Sequence, residues 1–435
     1  MNPVQGDAHD RRSGAIRDLA DLCAARPERG VRAPTEADRV AGLCPAFVAA
    51  PDSPEALAEI LALASARGAA VVVRGGGTKL GAAVRPARCD LVPETARLTG
   101  VIDHRQADFV ATIAAGTSVA AADAVLGRHG QWIGVDPPFR DKATIGGVFA
   151  TNDGGPRRVR SGAPRDRVLA VRFARADGKL IRAGAPVIKN VAGYDLPRLL
   201  TGTAGIFGVL VEVSVRVSPV PPASLTLAVS LGHDGMLPDL LGRLTRTSLE
   251  PSSLELTYPP PGLLVRFETV PEACRFQAER VAELAHQCGA SVELLTPQTE
   301  ERVWAEHIQR PWQGSTTVAA AAAPPTELAR LLPWLASSDV PSGVRVGATG
   351  PLAWGELLLA IDGEPEAAAA TVRGIRGRLE PAGGSLVLRR IPPALDGIVD
   401  PWGDRLYADR VLRALKAQLD PSGILNPGLL AGSTP

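Results

Sequence analysis

Apolar and polar positions along this chain follow two periods, and the period tells the elements apart. Residues 53–67 open with Ser53-Pro54-Glu55-Ala56, a cap with proline in the first turn, and carry apolar residues at helical spacing until Gly68 ends the run. Residues 69–73 are a short apolar run of strand character, and Arg74-Gly75-Gly76-Gly77-Thr78-Lys79 follows at once. Short strand-like runs come next at 90–93, 98–102 and 109–114, and a helix is predicted over 118–129 with Ser118 as its cap. Asp136-Pro137-Pro138 is a rigid, non-helical turn. Residues 168–174 and 179–182 flank Asp177-Gly178, which predicts a hairpin, and 209–217 alternates up to Pro219.

Pro219-Val220-Pro221-Pro222 loses backbone donors and stiffens the chain, so it marks a boundary. Beyond it, strands are predicted at 225–231, 263–267, 291–294, 356–361 and 385–388, and helices at 236–246, 272–288 and 364–379. Two strand–helix–strand units of similar length predict an antiparallel sheet covered by helices. The alanine- and proline-rich stretch 318–325 reads as a strand end running into a loop. A last helix at 406–419 precedes Pro421-Ser422-Gly423 and Asn426-Pro427-Gly428. The fold class is α+β. Its expected division is a poorly ordered segment 1–36 with one short helix at 16–22, α+β domains over 37–220 and 221–400, and a C-terminal segment 401–435.

Composition changes this picture mainly by exclusion. The chain has 435 residues, 45% of them hydrophobic and 21% charged, enough for two or three domains with ordinary cores. A formal net charge of +1 gives nucleic-acid binding no electrostatic support. Five cysteines without CxxC spacing argue against a zinc site, an iron–sulfur cluster or a disulfide framework, so no metal is expected and a reducing cytoplasm is the natural compartment. No apolar region follows the polar first residues, and no run of about 18 apolar residues occurs. Neither a signal peptide nor a membrane span is expected.

Three glycine-rich stretches hold the candidate chemistry. In residues 74–81, consecutive glycines let successive backbone N–H groups turn toward one anion, with Thr78 adding a hydroxyl and Arg74 and Lys79 adding charge. A diphosphate suits such a loop; a plain strand-end turn explains it equally well. It matches neither the P-loop nor the Rossmann pattern. The second stretch combines Asp136-Pro137-Pro138, Ala143-Thr144-Ile145-Gly146-Gly147 and Asn152, and also reads as a loop beside a tight corner. The third runs from Lys189 through Asn190-Val191-Ala192-Gly193-Tyr194-Asp195-Leu196 to Gly202, Gly205 and Gly208. Its glycines either let a flat ligand lie on backbone or pack a turn.

Taken in order, RGGGTK, DPP, TIGG, Asn152, the PRR…G…RD stretch, KNVAGYDL, GxxGxxGV and a terminal LNPG resemble the FAD-binding PCMH-type (vanillyl-alcohol-oxidase-like) flavoproteins. Among them the pattern is most similar to the FAD-binding subunits of glycolate oxidase. The resemblance covers residues 40–220 and 400–430, with similarity of layout between. It implies a PCMH-type domain of two α+β subdomains, then a cap domain of antiparallel sheet and helices over the flavin ring. It further implies that Arg74, Gly75, Gly76, Gly77, Thr78, Lys79, Leu80 and Gly81 hold the FAD diphosphate. Pro137, Pro138, Thr144, Ile145, Gly146 and Gly147 would run along the ADP part toward the flavin. Asn152, Gly162 and Asp166 would continue that wall, Gly208 and Val209 would meet the adenosine, and Asn426 would reach the flavin side.

Departures from the family sharpen the expectation. Covalent relatives carry histidine in or just after the glycine loop; Thr78-Lys79 stands there, which implies non-covalent FAD. Arg160-Ser161-Gly162 has serine where the family often has tyrosine, so one aromatic wall is expected to be missing. Relatives that oxidise hydroxy acids have a late histidine cluster, and no histidine follows His307. Candidates for proton removal and carboxylate binding reduce to His307, Arg310, Arg389 and Arg390, each with a structural reading as well. The arginine run 157–167 reads as solvated or as screening FAD phosphate. The resemblance implies a complex with a catalytic FAD subunit and an iron–sulfur subunit, oxidising glycolate to glyoxylate, with membrane contact only through those partners. The alternatives are a self-sufficient 2-hydroxy-acid dehydrogenase, for D-lactate for example, and a structural subunit without catalysis.

Overall fold

The computed structural model of the protein describes residues 3–80, 85–189, 192–314, 317–403 and 409–430. The first half contains α1 (Pro3–Ala24), β1 (Val31–Arg32), β2 (Phe47–Ala49), α2 (Pro54–Ala66), β3 (Leu91–Pro93), β4 (Val101–Arg105) and β5 (Val110–Ala114). It continues with α3 (Val119–Gly127), β6 (Gln131–Trp132), α4 (Ile145–Thr151), α5 (Arg158–Ser161), α6 (Pro164–Arg167), β7 (Val168–Ala174), β8 (Leu180–Gly184), α7 (Leu196–Leu200), β9 (Val209–Arg216) and β10 (Ser218–Pro219). Three sheets result: β1-β2-β3, with β2 and β3 parallel, the antiparallel pair β10-β6, and an antiparallel sheet ordered β4-β5-β9-β7-β8.

Local chemistry explains why these elements form. The Ser53 hydroxyl caps α2 by accepting from the Ala56 N–H, Pro54 stands at its first position, and Leu57, Ile60, Leu61 and Ala64 make one buried stripe. Each such aliphatic side chain contributes about 1.5–3 kcal/mol on burial. The stripe joins a core with Leu91, Val209, Val211 and Leu425, so α2 pins the small sheet to the five-stranded one. Residues 69–74 are extended but make only single bridges, Val71 to Leu91 and to Leu425 and Arg74 to Glu94, where an apolar strand was expected. The predicted hairpin is β7 and β8, with Gly178 at φ +79° in its turn.

The start of the chain holds a longer helix than the apolar run 16–22 suggests. Instead of a loose segment with a short helix at 16–22, α1 runs from Pro3 to Ala24, and Leu19 and Cys23 are fully buried in the α2 core. Arg29 fastens it by donating to the Leu22 carbonyl at 2.7 Å and to Glu59 at 2.7 Å.

The second half builds one eight-stranded antiparallel sheet. Its elements are β11 (Ala223–Ser230), α8 (Leu237–Leu244), β12 (Ser253–Tyr258), β13 (Gly262–Thr269), α9 (Pro271–Gln287), β14 (Ser291–Leu294) and α10 (Pro297–Gln309). Then come β15 (Thr317–Ala322), α11 (Pro325–Leu335), β16 (Arg345–Gly350), β17 (Glu356–Asp362), α12 (Pro365–Leu379), β18 (Ser385–Arg390) and α13 (Asp409–Leu419). The order β14-β11-β13-β12-β16-β17-β15-β18 reads the same from both edges: two βαββαβ units join at the β12–β16 seam. Period-2 alternation splits the faces. Leu263, Val265 and Phe267 enter the helix-covered core, while Arg266 and Glu268 point toward the first half.

Two strands of this half differ from expectation. β12 and β16 were not foreseen, because Ser-Leu-Glu-Leu-Thr-Tyr and Arg-Val-Gly-Ala-Thr-Gly are poor in β-branched residues. The 318–325 stretch is, as expected, a strand end running into a loop: β15 closes at Ala322 ahead of α11, and as an interior strand it fits its alanines between β17 and β18.

Candidate functional site

One cleft gathers the glycine-rich stretches. It is lined by Gly75, Gly76, Gly77, Thr78, Lys79 and Leu80 on one side and by Thr144, Gly146, Gly147, Ala150 and Thr151 on another. Ala204, Gly205, Gly208, Val209, Leu210, Asn426 and Leu429 form the third wall, with Val40, Val72, Val73, Pro86 and Thr95 at the periphery.

The glycine loop is held tightly from behind. A Cβ on Gly76 would fall 1.6 Å from the Lys142 carbonyl oxygen, and one on Gly75 would fall 2.2 Å from Thr144 Oγ1. Gly77 sits at φ +73°. These demands come from protein packing and turn geometry, before any ligand is considered. The backbone N–H groups of residues 75–79 donate to no acceptor among the described residues. Consecutive unused amides at an open cleft are what an anion such as a diphosphate needs.

The loop's two cations are already engaged. The Arg74 guanidinium pairs with Asp38 and Glu94 and does not line the cleft. Asp38 also takes a bidentate hold from Arg32 at 2.7 and 2.8 Å. That bond first, with Arg74 adding, keeps the Asp38 carboxyl far below the usual range against the opposing effect of burial. Arg74 therefore braces the loop. Lys79 pairs with Asp153 and lies under the Trp312 ring, 4.9 Å from its centroid.

α4 supplies the second wall. Thr144 caps it by accepting from the Gly147 N–H at 3.3 Å, and Gly146 lies against Ala115, where a Cβ would meet the Ala115 methyl at 2.9 Å. Asn426 sits at φ +44°; its N–H bonds Val71 O at 2.8 Å and its Nδ2 donates to Ala204 O at 2.7 Å. Buried Asp420 shapes the preceding turn by accepting from the Ile424 and Leu425 N–H groups, with the Lys416 ammonium at 2.6 Å. Burial pushes the Lys416 ammonium pKa down, against the pull of Asp420.

Several sequence candidates fall elsewhere. Pro137 and Pro138 are buried, and Ile145 is fully buried in the neighbouring core. Asn152 ends α4 at φ +54° and accepts from the Arg165 N–H, while Asp166 accepts from the Ala163 N–H beside Gly162. None of these five lines the cleft, nor does Gly162. Gly81, Asn190 and Val191 lie outside the described residues. Ser161 belongs to α5, away from the cleft, so the tyrosine-to-serine difference removes no wall of it. Of the lining residues that sequence reasoning left out, Gly205 carried a signal in the Gly202, Gly205, Gly208 spacing. Val40, Pro86 and Thr95 carried none.

The catalytic candidates also lie off the cleft. His307 is buried on α10 with Nε2 3.1 Å from Glu255, edge-on to Trp304 at 5.7 Å. Burial raises the Glu255 carboxyl pKa, with His307 opposing. Arg310 is exposed and donates to the Pro259 carbonyl, Arg389 is exposed, and Arg390 donates to the Trp312 carbonyl at 2.7 Å.

Within the arginine run Arg160 and Arg165 are exposed, while Arg157, Arg158 and Arg167 are drawn into contacts with the protein. Arg157 donates to Glu268 at 2.7 Å and lies 3.4 Å from Asp136; Arg266 reaches Asp136 at 3.1 Å. Arg158 pairs with Glu356 at 2.7 Å, and Arg160 donates to the Glu268 carbonyl. Arg157, Arg158 and Arg160 fasten the first half to the inner face of the large sheet, while Arg167 bonds the Arg216 carbonyl and Ser218 within the first half. Burial pushes Asp136 up against both arginines; it pushes Glu268 up too, but there the Arg157 hydrogen bond and Arg266 win and hold it low.

Comparison with known proteins adds the ligand. Residues 45–184 match the family model described as an FAD binding domain. The chain is 38% identical over 171 residues to glycolate oxidase subunit GlcE of Escherichia coli K12, covering 39% of this chain and 48% of that one. It therefore spans about half the length of that relative. It is 28% identical over 426 residues to an uncharacterized FAD-linked oxidoreductase of Mycobacterium tuberculosis, covering 90% and 92%. A solved chitooligosaccharide oxidase shares the fold, with a TM-score of 0.70, 14% identity, and 96% and 99% of the two chains covered. FAD is the cofactor, and the cleft fits it: free loop amides for a diphosphate, backbone and small side chains for flat rings, and no carboxylate on the walls among the described residues.

Proposed function

We propose, from the premise that this chain carries a PCMH-type FAD-binding domain, that it is the FAD-binding subunit of a glycolate oxidase complex. FAD in the cleft supplies a two-electron acceptor. Oxidising a 2-hydroxy acid removes a hydride from the carbon and a proton from the hydroxyl, which calls for a base and for a cation on the carboxylate. One observation carries the subunit reading: Lys79 is the only ionisable side chain lining the cleft among the described residues, and Asp153 engages it. His307, the one late imidazole, is paired with Glu255 inside the large-sheet unit.

The residues of this chain then bind and orient the cofactor through the 75–79 amides, α4 and Asn426. A catalytic FAD subunit provides the base, and electrons leave through an iron–sulfur subunit as glycolate becomes glyoxylate. Co-purification from the native host tests this: two partner chains and FAD on this one are expected. Flavin bleaching by glycolate or D-lactate with this chain alone would support the self-sufficient dehydrogenase instead. A chain that takes up no FAD would support the structural subunit.

A further inference from the structure

We propose that Lys79 is a positioning residue that ties FAD occupancy of the cleft to the seating of the large-sheet unit, through Asp153 and Trp312. The inference rests on FAD entering the cleft and on nothing in the substrate assignment. Lys79 lies in the cofactor loop and lines the cleft. Its ammonium is sealed from solvent, pairs with Asp153 and sits 4.9 Å from the Trp312 ring centroid. Those partners come from two other places. Asp153 follows the end of α4, its N–H bonded to Val148 O. Trp312 sits in the turn after α10, with Arg390 holding its carbonyl.

An ammonium has three donors, and burying it is costly unless they are met. Despite the Asp153 pair, Lys79 Nζ makes no well-aligned hydrogen bond. The lysine stem lines the cleft, so a ligand there bears on the stem and, through it, on the seat of the ammonium between Asp153 and the ring. The ligand then fixes the lysine stem beneath the ring, and the ring contact in turn favours the ligand. Such linkage is reciprocal. A desolvated cation–ring contact of about 2 kcal/mol corresponds to roughly 30-fold in affinity, which sets the upper scale of the effect.

A double-variant cycle on FAD affinity tests it, with hydrogen exchange as the second readout. Trp312→Leu, although outside the cleft lining, is expected to weaken FAD binding about three- to thirtyfold. Lys79→Met is expected to weaken it too, and the double variant should be no worse than the weaker single. FAD should slow exchange in residues 304–314 of the native chain and not in Lys79→Met. Trp312→Phe, which keeps a ring, should bind FAD within about twofold of the native chain. Native affinity in Trp312→Leu, losses that multiply in the double variant, or equal protection in Lys79→Met would each overturn the proposal. So would a loss in Trp312→Phe as deep as in the leucine variant. A native chain that binds no FAD would overturn it together with the cleft assignment, whatever the substrate.

Discussion

Gly76 and Gly147 line the same cleft but are glycine for different reasons. A methyl on Gly76 would collide with the Lys142 carbonyl, whereas one on Gly147 would meet only Thr144 Oγ1, at 3.2 Å. Gly76→Ala should therefore lower the melting temperature of the FAD-free chain, by the equivalent of about 1–3 kcal/mol. Gly147→Ala should leave that temperature nearly unchanged and weaken FAD binding. Equal melting losses in the two variants would contradict this division. Asp38 supports the loop through Arg74 and Arg32, and its depressed pKa fixes the sign of a pH test. A carboxyl with a lowered folded pKa stabilises fully above its unfolded value of about 3.9 and loses that contribution as pH falls. The deficit of Asp38→Asn in urea unfolding, about 1–3 kcal/mol at pH 6, should shrink toward pH 3. The glycine motif was legible in the sequence because turn chemistry is local. The engagement of Arg74 by Asp38 was not, since that partner lies 36 positions away.

At the scale of elements, helices and strands with a clean period were readable, α2, α9 and the β7–β8 hairpin among them. β12 failed because its outward face carries Ser253 and Glu255, buried only through partners distant in sequence: Arg266 for one, His307 for the other. The same kind of partnership explains α5. Arg157 and the α5 arginines read as surface charge until β13 presents Glu268 and β17 presents Glu356. Removing one member of this cluster strands the others, so Arg157→Met should cost about 3–5 kcal/mol in denaturant unfolding. Arg157→Met with Glu268→Met should recover part of that loss, because the partner charge goes with it. Strict additivity of the two single losses would argue against a coupled cluster.

At the scale of the molecule, the cleft is assembled from chain segments far apart: the loop at 75–80, α4, residues 204–210 and Asn426. Residue patterning placed the first three in separate stretches, and only their shared order with a known family put them together. Among the described residues the cleft carries one ionisable side chain, Lys79, which is already engaged. On the proposed reading the chain holds the cofactor and partner subunits complete its chemistry. Anaerobic mixing of the FAD-loaded chain with glycolate, alone and then with the catalytic and iron–sulfur subunits, tests this most directly. The account predicts that the flavin stays oxidised on the isolated chain and bleaches in the complex; bleaching on the isolated chain would contradict it.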